Sequence, residues 1–325
     1  MIPGLILLLF VFVLVLIKSA DMVVVSLRRF SQETHTKVFV LSAILLAVAT
    51  SFPELFVGVT SALEQTPHLA LGNVLGANIA NISLVAGISA FVVGKVNVHG
   101  EFIRREVLVA LIAGIIPLVL IFDGELSRVD GLILLSVYGA YMASFFKERF
   151  MQIAHHHRKE GYIHRFMRNF AHPNIDGPKA RDLARLFVGL ALLLFSADVI
   201  VKIAKEIAVM SNMPIFLVGL ILLSVGTTLP ELAFSIRSLE DIEPTMFFGN
   251  LLGSIIANST LILGVAATIY PIRVTSLKEP MFAGIAFVLV YLVFWFFTRT
   301  KMALARWEAG VLLLLYIAFV VVEFF

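Results

Sequence analysis

Cysteine is absent from this 325-residue chain and charge is scarce: Asp, Glu, Lys and Arg make up 14% of it, against 60% hydrophobic residues. The first absence excludes disulfides and thiolate metal sites and leaves the compartment open. The second excludes an ordinary soluble domain, in which roughly a quarter of residues are charged and about half are apolar. Absent motifs narrow the chemistry further. There is no GxxxxGK[ST] loop to cradle a nucleotide, no HExxH zinc pair and no GxSxG nucleophile elbow. No nucleophile lies at a suitable spacing from a base, so the chain does not read as an enzyme. Any work it does must draw on something other than ATP, and neither nucleotide nor nucleic acid is expected as a partner.

What is present is long apolar runs. Crossing about 30 Å of hydrocarbon takes roughly 20 apolar residues. Ten such runs occur, near 4–27, 38–63, 69–93, 107–122, 129–146, 183–209, 214–237, 245–270, 280–298 and 308–325. The fold class expected is an all-α membrane protein of ten transmembrane helices set in the lipid bilayer. The first run resembles a secretory leader, but it has a counterpart later in the chain and is read as a span. The connection at residues 147–185, which reaches into the start of the sixth run, is basic, with Lys147, Arg149, Arg158, Lys159, Arg165, Arg168, Lys179, Arg181 and Arg185 against four acids. The positive-inside rule makes it cytoplasmic. Five spans on either side then place both termini outside, in the cell membrane, and on this choice the great majority of the 25 Lys and Arg fall on the inner side. The division expected is 1–146, a linker at 147–182, and 183–325. Within the linker, Arg149 to Phe170 reads as an amphipathic helix resting on anionic headgroups. Its His155, His156 and His157 are read as part of that surface rather than as a metal or pH-sensing site.

A shift of 177 positions carries the first half onto the second without a gap. Ser19, Ala20 and Asp21 fall on Ser196, Ala197 and Asp198. Thr50, Pro53, Glu54 and Leu55 fall on Thr227, Pro230, Glu231 and Leu232. Gly72, Asn73, Gly76, Ala80 and Asn81 fall on Gly249, Asn250, Gly253, Ala257 and Asn258. Because five spans is an odd number, the second copy enters the membrane from the opposite side. The expected plan is therefore two inverted-topology repeats of five helices, an arrangement that recurs in transporters with a site near the midplane.

The repeated polar residues suit a cation. On a helix Ala47, Thr50, Ser51 and Glu54 share a face, as do Ser224, Thr227, Thr228 and Glu231. Pro53 and Pro230 cannot donate to the carbonyl four residues back, at Ala49 and Gly226, so a kink is expected beside each carboxylate. Carboxylates, hydroxyls and freed carbonyls are hard oxygen ligands, fitted to Ca²⁺ or Na⁺ rather than copper or zinc. A second stripe holds Asn73, Ala77 and Asn81, matched by Asn250, Ser254 and Asn258. Gly72 and Gly76, with Gly249 and Gly253, form faces that let backbones approach closely in lipid. A carboxylate at the bilayer centre costs about 2.5–3.5 kcal/mol and marks function, so Glu54 and Glu231 are read as functional. Thr50 and Thr227 follow. Asn73 and Asn250 serve equally well as bonds between helices, and Ser19, Asp21 and their copies sit near span ends.

In the stretches ATSFPEL with GNVLGANIAN, and GTTLPEL with GNLLGSIIAN, the chain resembles the two alpha-repeats of the cation/Ca²⁺ antiporter superfamily, which includes sodium/calcium and proton/calcium exchangers. The likeness extends over all ten spans and is to the compact prokaryotic type. It implies Ca²⁺ held between Glu54 and Glu231 with help from Thr50 and Thr227, no resident cofactor, and alternating access by sliding of spans one and six across the rest. In the sodium/calcium branch it implies further Na⁺ sites at Ala47, Ala77, Asn81, Ser224, Ser254 and Asn258. Two positions depart from that branch: Ala77 stands where a serine is usual, and Asn258 where an aspartate is common.

Charge balance bears on the counter-ion. Two carboxylates carry −2, matched by one Ca²⁺ or by two protons, whereas three Na⁺ leave an uncompensated positive charge in low dielectric. Protons, carried by Glu54 and Glu231, are therefore the expected counter-ion, with Na⁺/Ca²⁺ exchange as the alternative. A Ca²⁺-permeable channel is a further alternative, disfavoured because channels build open rings from identical subunits.

Overall fold

The computed structural model describes residues 2–33, 50–97, 101–154, 177–240, 244–300 and 303–324. Ala47, Ala49, the three histidines and most of the expected surface helix lie outside the described residues.

Helix α1 (Ile2–Glu33) is followed by α2 (Phe52–Leu63), α3 (Pro67–Ala80) and α4 (Ala86–Val93), the last two joined by a π-helical turn at Asn81–Val85. Next come α5 (Glu101–Leu120) and α6 (Arg128–Ala154). The chain resumes with α7 (Gly177–Ser211), then the short α8 (Ile215–Leu217), π-helical Val218–Leu223 and α9 (Ser224–Thr227). After Thr228, α10 (Leu229–Glu240) begins. Helices α11 (Pro244–Ile256) and α12 (Leu263–Ile269) flank a third π-helical stretch, Ala257–Ile262, before α13 (Lys278–Thr300) and α14 (Arg306–Phe324). Two-residue strands clip the loops antiparallel: β1 (Val96–Asn97) with β4 (Ala303–Leu304), and β2 (Glu125–Leu126) with β3 (Ile272–Arg273).

Seven of the described stretches are long and apolar enough to cross a membrane: Ile2–Val23, Pro67–Val93, Arg105–Asp123, Ala184–Ser211, Ile215–Glu240, Pro244–Ile269 and Lys278–Arg299. The apolar helix Phe52–Leu63 is shorter. The protein is thus a helical membrane protein. Its exposed large apolar side chains, among them Phe10, Phe195, Leu289, Phe296, Leu314 and Ile317, fit a surface whose solvent is hydrocarbon.

Prolines set the breaks that matter. Pro53 and Pro230 each occupy the second residue of their helix, within the first turn, where a missing N–H costs nothing. As expected, the helix is interrupted beside Pro230: α9 ends at Thr227 and α10 begins at Leu229, with Thr228 between them still in helical conformation. Leu55 N–H donates to Ser51 O and Leu232 N–H to Thr228 O, both at 3.0 Å, so the two helix starts are built alike.

Among the described residues two large cores hold the helices together, beside a small cluster of Ala62, Ala70 and Ala266. In one, Leu9, Val13, Leu16 and Ala20 of α1 interleave with Leu193, Ala197, Ile200 and Ala204 of α7. This pair reaches the remainder through Val57, Leu69, Val218 and Leu223. The larger core surrounds α3, α4, α11 and α12 and includes Phe247, Phe248, Phe287, Tyr291 and Phe294. In lipid such packing is van der Waals contact rather than escape from water. Glycine makes it close in one place. A Cβ on Gly72 would strike Phe216 O, one on Gly76 would strike Leu220 O and come within 2.6 Å of Ser224 Oγ, and one on Gly219 would come within 2.9 Å of Asn73 N. The segment Ile215–Thr227 therefore lies backbone to backbone on α3.

Candidate functional site

That close approach delivers polar groups to the centre. The first turns of α2 and α10 carry Glu54 and Glu231, both fully buried and near enough to feel each other's charge. Thr227 stands beside the Glu54 carboxyl; Thr50 and Ser254 stand beside that of Glu231. Among the described residues none of the four carboxylate oxygens has a hydrogen-bond partner. Two buried, unpaired carboxylates are tolerated only when protons or a bound cation cancel their charge.

Each threonine reaches across to the asparagine of the opposite stripe. Thr50 Oγ1 donates to Asn250 Oδ1 at 3.0 Å, and Thr227 Oγ1 donates to Asn73 Oδ1 at 3.2 Å. The two bonds are related by the shift of 177 found in the sequence. They occupy the amide oxygens and leave Asn73 Nδ2 and Asn250 Nδ2 unpartnered. Both Asn81 amide atoms, Asn258 Oδ1, Ser51 Oγ and Ser254 Oγ are likewise buried without a partner. A buried polar group left unmade costs about 1–3 kcal/mol. These groups lie on or directly beside the helices that pack around the two carboxylates and form with them the candidate site.

The other predicted positions fall out differently. Ser224 Oγ donates to Leu220 O and Thr228 Oγ1 to Ser224 O at 2.9 Å, so both hydroxyl protons serve their own helix. Ala77 is buried and carries no side-chain oxygen. Ser19 and Ser196 also bond back to their own helices, at Val15 O (2.7 Å) and Leu192 O (2.6 Å), and Asp198 pairs with Lys202 at 2.8 Å. These end-of-span residues take no part in the central cluster.

Two polar residues that the sequence reading did not single out join it. Asn258 Nδ2 donates to Asn78 Oδ1 at 3.2 Å, and Asn78 Nδ2 donates to Ser259 Oγ at 2.7 Å. Among the described residues no three His, Asp or Glu side chains gather. A cation here would have one carboxylate pair and neutral oxygens, a donor set suited to a hard ion.

A family model described as Sodium/calcium exchanger protein matches residues 4–147 and 182–325. The chain is 26% identical to Sodium/calcium exchanger MaX1 of Methanosarcina acetivorans, over 95% of each chain. It is 29% identical to the Putative antiporter CaxA of Alkalimonas amylolytica, over 80% of this chain and 81% of that protein. In structure it resembles the sodium-calcium exchanger NCX_Mj soaked with 10 mM Na⁺ and zero Ca²⁺, with a TM-score of 0.62, 26% identity and 98% of both chains covered.

Proposed function

As the chain belongs to the sodium/calcium exchanger family, within the cation/Ca²⁺ antiporter superfamily, we propose that it exchanges Ca²⁺ for protons across its membrane, at a site shared by Glu54 and Glu231. It is a membrane exchanger, not an enzyme. The observation that carries the reading is the pair of buried carboxylates, one at the start of α2 and one at the start of α10, with all four oxygens unpartnered among the described residues.

Ca²⁺ takes 6–8 oxygens at about 2.3–2.6 Å. Glu54 and Glu231 supply up to four, and the hydroxyls of Thr50 and Thr227, Ser254 Oγ and the amide oxygens of Asn81 and Asn258 complete a shell. When Ca²⁺ leaves, the residual charge of −2 is cancelled by a proton on each carboxylate. Asn258 is neutral and Ala77 bears no oxygen, so no third negative charge is at hand to balance three Na⁺.

The packing supports a transport cycle by alternating access. The chain is taken as ten spans in two inverted repeats, with residues 147–182 as the cytoplasmic linker and both termini outside. Contacts that recur at the shift of 177 support this plan: α2 on α3 as α10 on α11, and α2 on α12 as α10 on α4. Helices α1 and α7, packed on one another with a core of their own, slide across the rest and open the glutamates to one side, then the other.

Na⁺/Ca²⁺ exchange is the second reading, favoured by the family description and by the name of MaX1. Uptake of ⁴⁵Ca²⁺ into proteoliposomes separates the two. A pH gradient, acid inside, should drive uptake with no Na⁺ present; uptake driven by a Na⁺ gradient and not by a pH gradient transfers the assignment to Na⁺. A conductance at single-channel turnover would discard exchange altogether.

A further inference from the structure

The shift that relates the two halves fails at several buried polar positions, among them Ser224, Ser254 and Ser259, and in the first half at Asn78. Asn78 falls on Ile255, and its neighbour Asn81 falls on Asn258. Asn258 therefore has an amide partner that Asn81 lacks. Asn258 Nδ2 donates to Asn78 Oδ1 at 3.2 Å, Asn78 Nδ2 donates to Ser259 Oγ at 2.7 Å, and all three side chains are buried. Among the described residues Asn258 Oδ1 is left unpartnered, and neither amide atom of Asn81 has a partner.

A primary amide is nearly symmetric in shape, so its neighbours decide which end faces a cavity. One end attracts a cation and the other repels it. We propose that Asn78 is a positioning residue: it consumes the NH₂ of Asn258 and thereby turns the Asn258 oxygen toward the transported ion. The inference rests on the exchange reading above. It makes the site unequal: the oxygen of Asn258 is held ready, while the Asn81 amide is able to turn either end inward. The asymmetry assigns Asn258 the constant contribution to Ca²⁺ affinity and Asn81 the adjustable one.

The test is a double-mutant cycle on ⁴⁵Ca²⁺ uptake in proteoliposomes. Asn78→Leu removes both bonds at similar volume, and Asn78→Ala serves should the leucine variant not assemble. In the otherwise unchanged protein either should raise KM for Ca²⁺ about tenfold, the effect of an unclamped amide with its donors toward the ion, with kcat within about twofold. In an Asn258→Ala background the same substitution should change KM by less than about twofold. An equal loss in both backgrounds would make Asn78 a packing residue and overturn the proposal, as would an unchanged KM. Failure of the unsubstituted protein to exchange Ca²⁺ would instead overturn the parent reading, so the two failures are told apart by one control.

Discussion

Adding a single methyl group at Gly76 tests whether the close approach of α3 to the segment Ile215–Thr227 sustains transport. A Cβ there would overlap Leu220 O and lie 2.6 Å from Ser224 Oγ and 2.7 Å from Ser224 Cβ, against an ordinary contact of at least 3.4 Å. Backbone cannot yield as a side-chain tip does, so the helices must part by roughly an ångström. Overpacking of this kind costs about 1–3 kcal/mol of stability. The functional loss should be larger than that figure suggests. Asn73 lies one turn before Gly76, and its Oδ1 accepts from Thr227, which stands beside Glu54. Opening a 3.2 Å bond by an ångström breaks it. A misplacement of about 1 Å at a reacting centre costs about a hundredfold in rate. For Gly76→Ala we therefore expect kcat/KM for ⁴⁵Ca²⁺ uptake to fall by about two orders of magnitude, with protein still recovered in the membrane. The control is Gly139→Ala, because a Cβ on Gly139 meets nothing within 4 Å; its uptake should equal that of the unsubstituted protein. Full transport by Gly76→Ala would refute the reasoning, since it would show that the site does not depend on that helix spacing.

Replacing either Glu54 or Glu231 by Gln removes half of the charge that must balance Ca²⁺. Each variant should lose uptake to background in the same assay, and full activity in either would remove that residue from the site. Protons and Ca²⁺ compete for the two carboxylates, so acidification should weaken Ca²⁺ and alkalinisation should strengthen it. For competition by two protons the apparent KM rises by up to about a hundredfold per unit fall in pH, read from uptake at a series of matched internal and external pH values. Asn258→Asp adds the negative charge that three Na⁺ would require; a Na⁺ gradient without a pH gradient should then drive uptake in the variant more than in the parent.

The centre of the polar cluster was legible because it is written twice. Glu54 and Glu231 stood out as acids in apolar runs, and the shift of 177 pointed to the same threonines and asparagines that meet across the molecule. What duplication could not show was which partner each would choose: Thr50 bonds to Asn250 and Thr227 to Asn73, a crossing set by tertiary packing. The same filter hid Asn78, whose counterpart Ile255 has no polar atom to repeat. The interruption beside Pro230 was legible as well, its form less so. A proline in an apolar run reads as a kink, yet whether the helix bends or restarts depends on where the first turn begins, and Pro230 sits just after the break at Thr228. The π-helical stretches at 81–85, 218–223 and 257–262 left no mark in periodicity, because one extra residue in a turn barely moves an apolar pattern that is hydrophobic all round.

Anomalous diffraction from crystals grown with Ca²⁺ addresses most directly whether one divalent ion is shared by the two halves. The account predicts a single strong peak with carboxylate oxygens of both Glu54 and Glu231 at about 2.3–2.6 Å. A peak bound by only one of them, or a Ca²⁺ site elsewhere with this cluster unoccupied at saturating Ca²⁺, would contradict it.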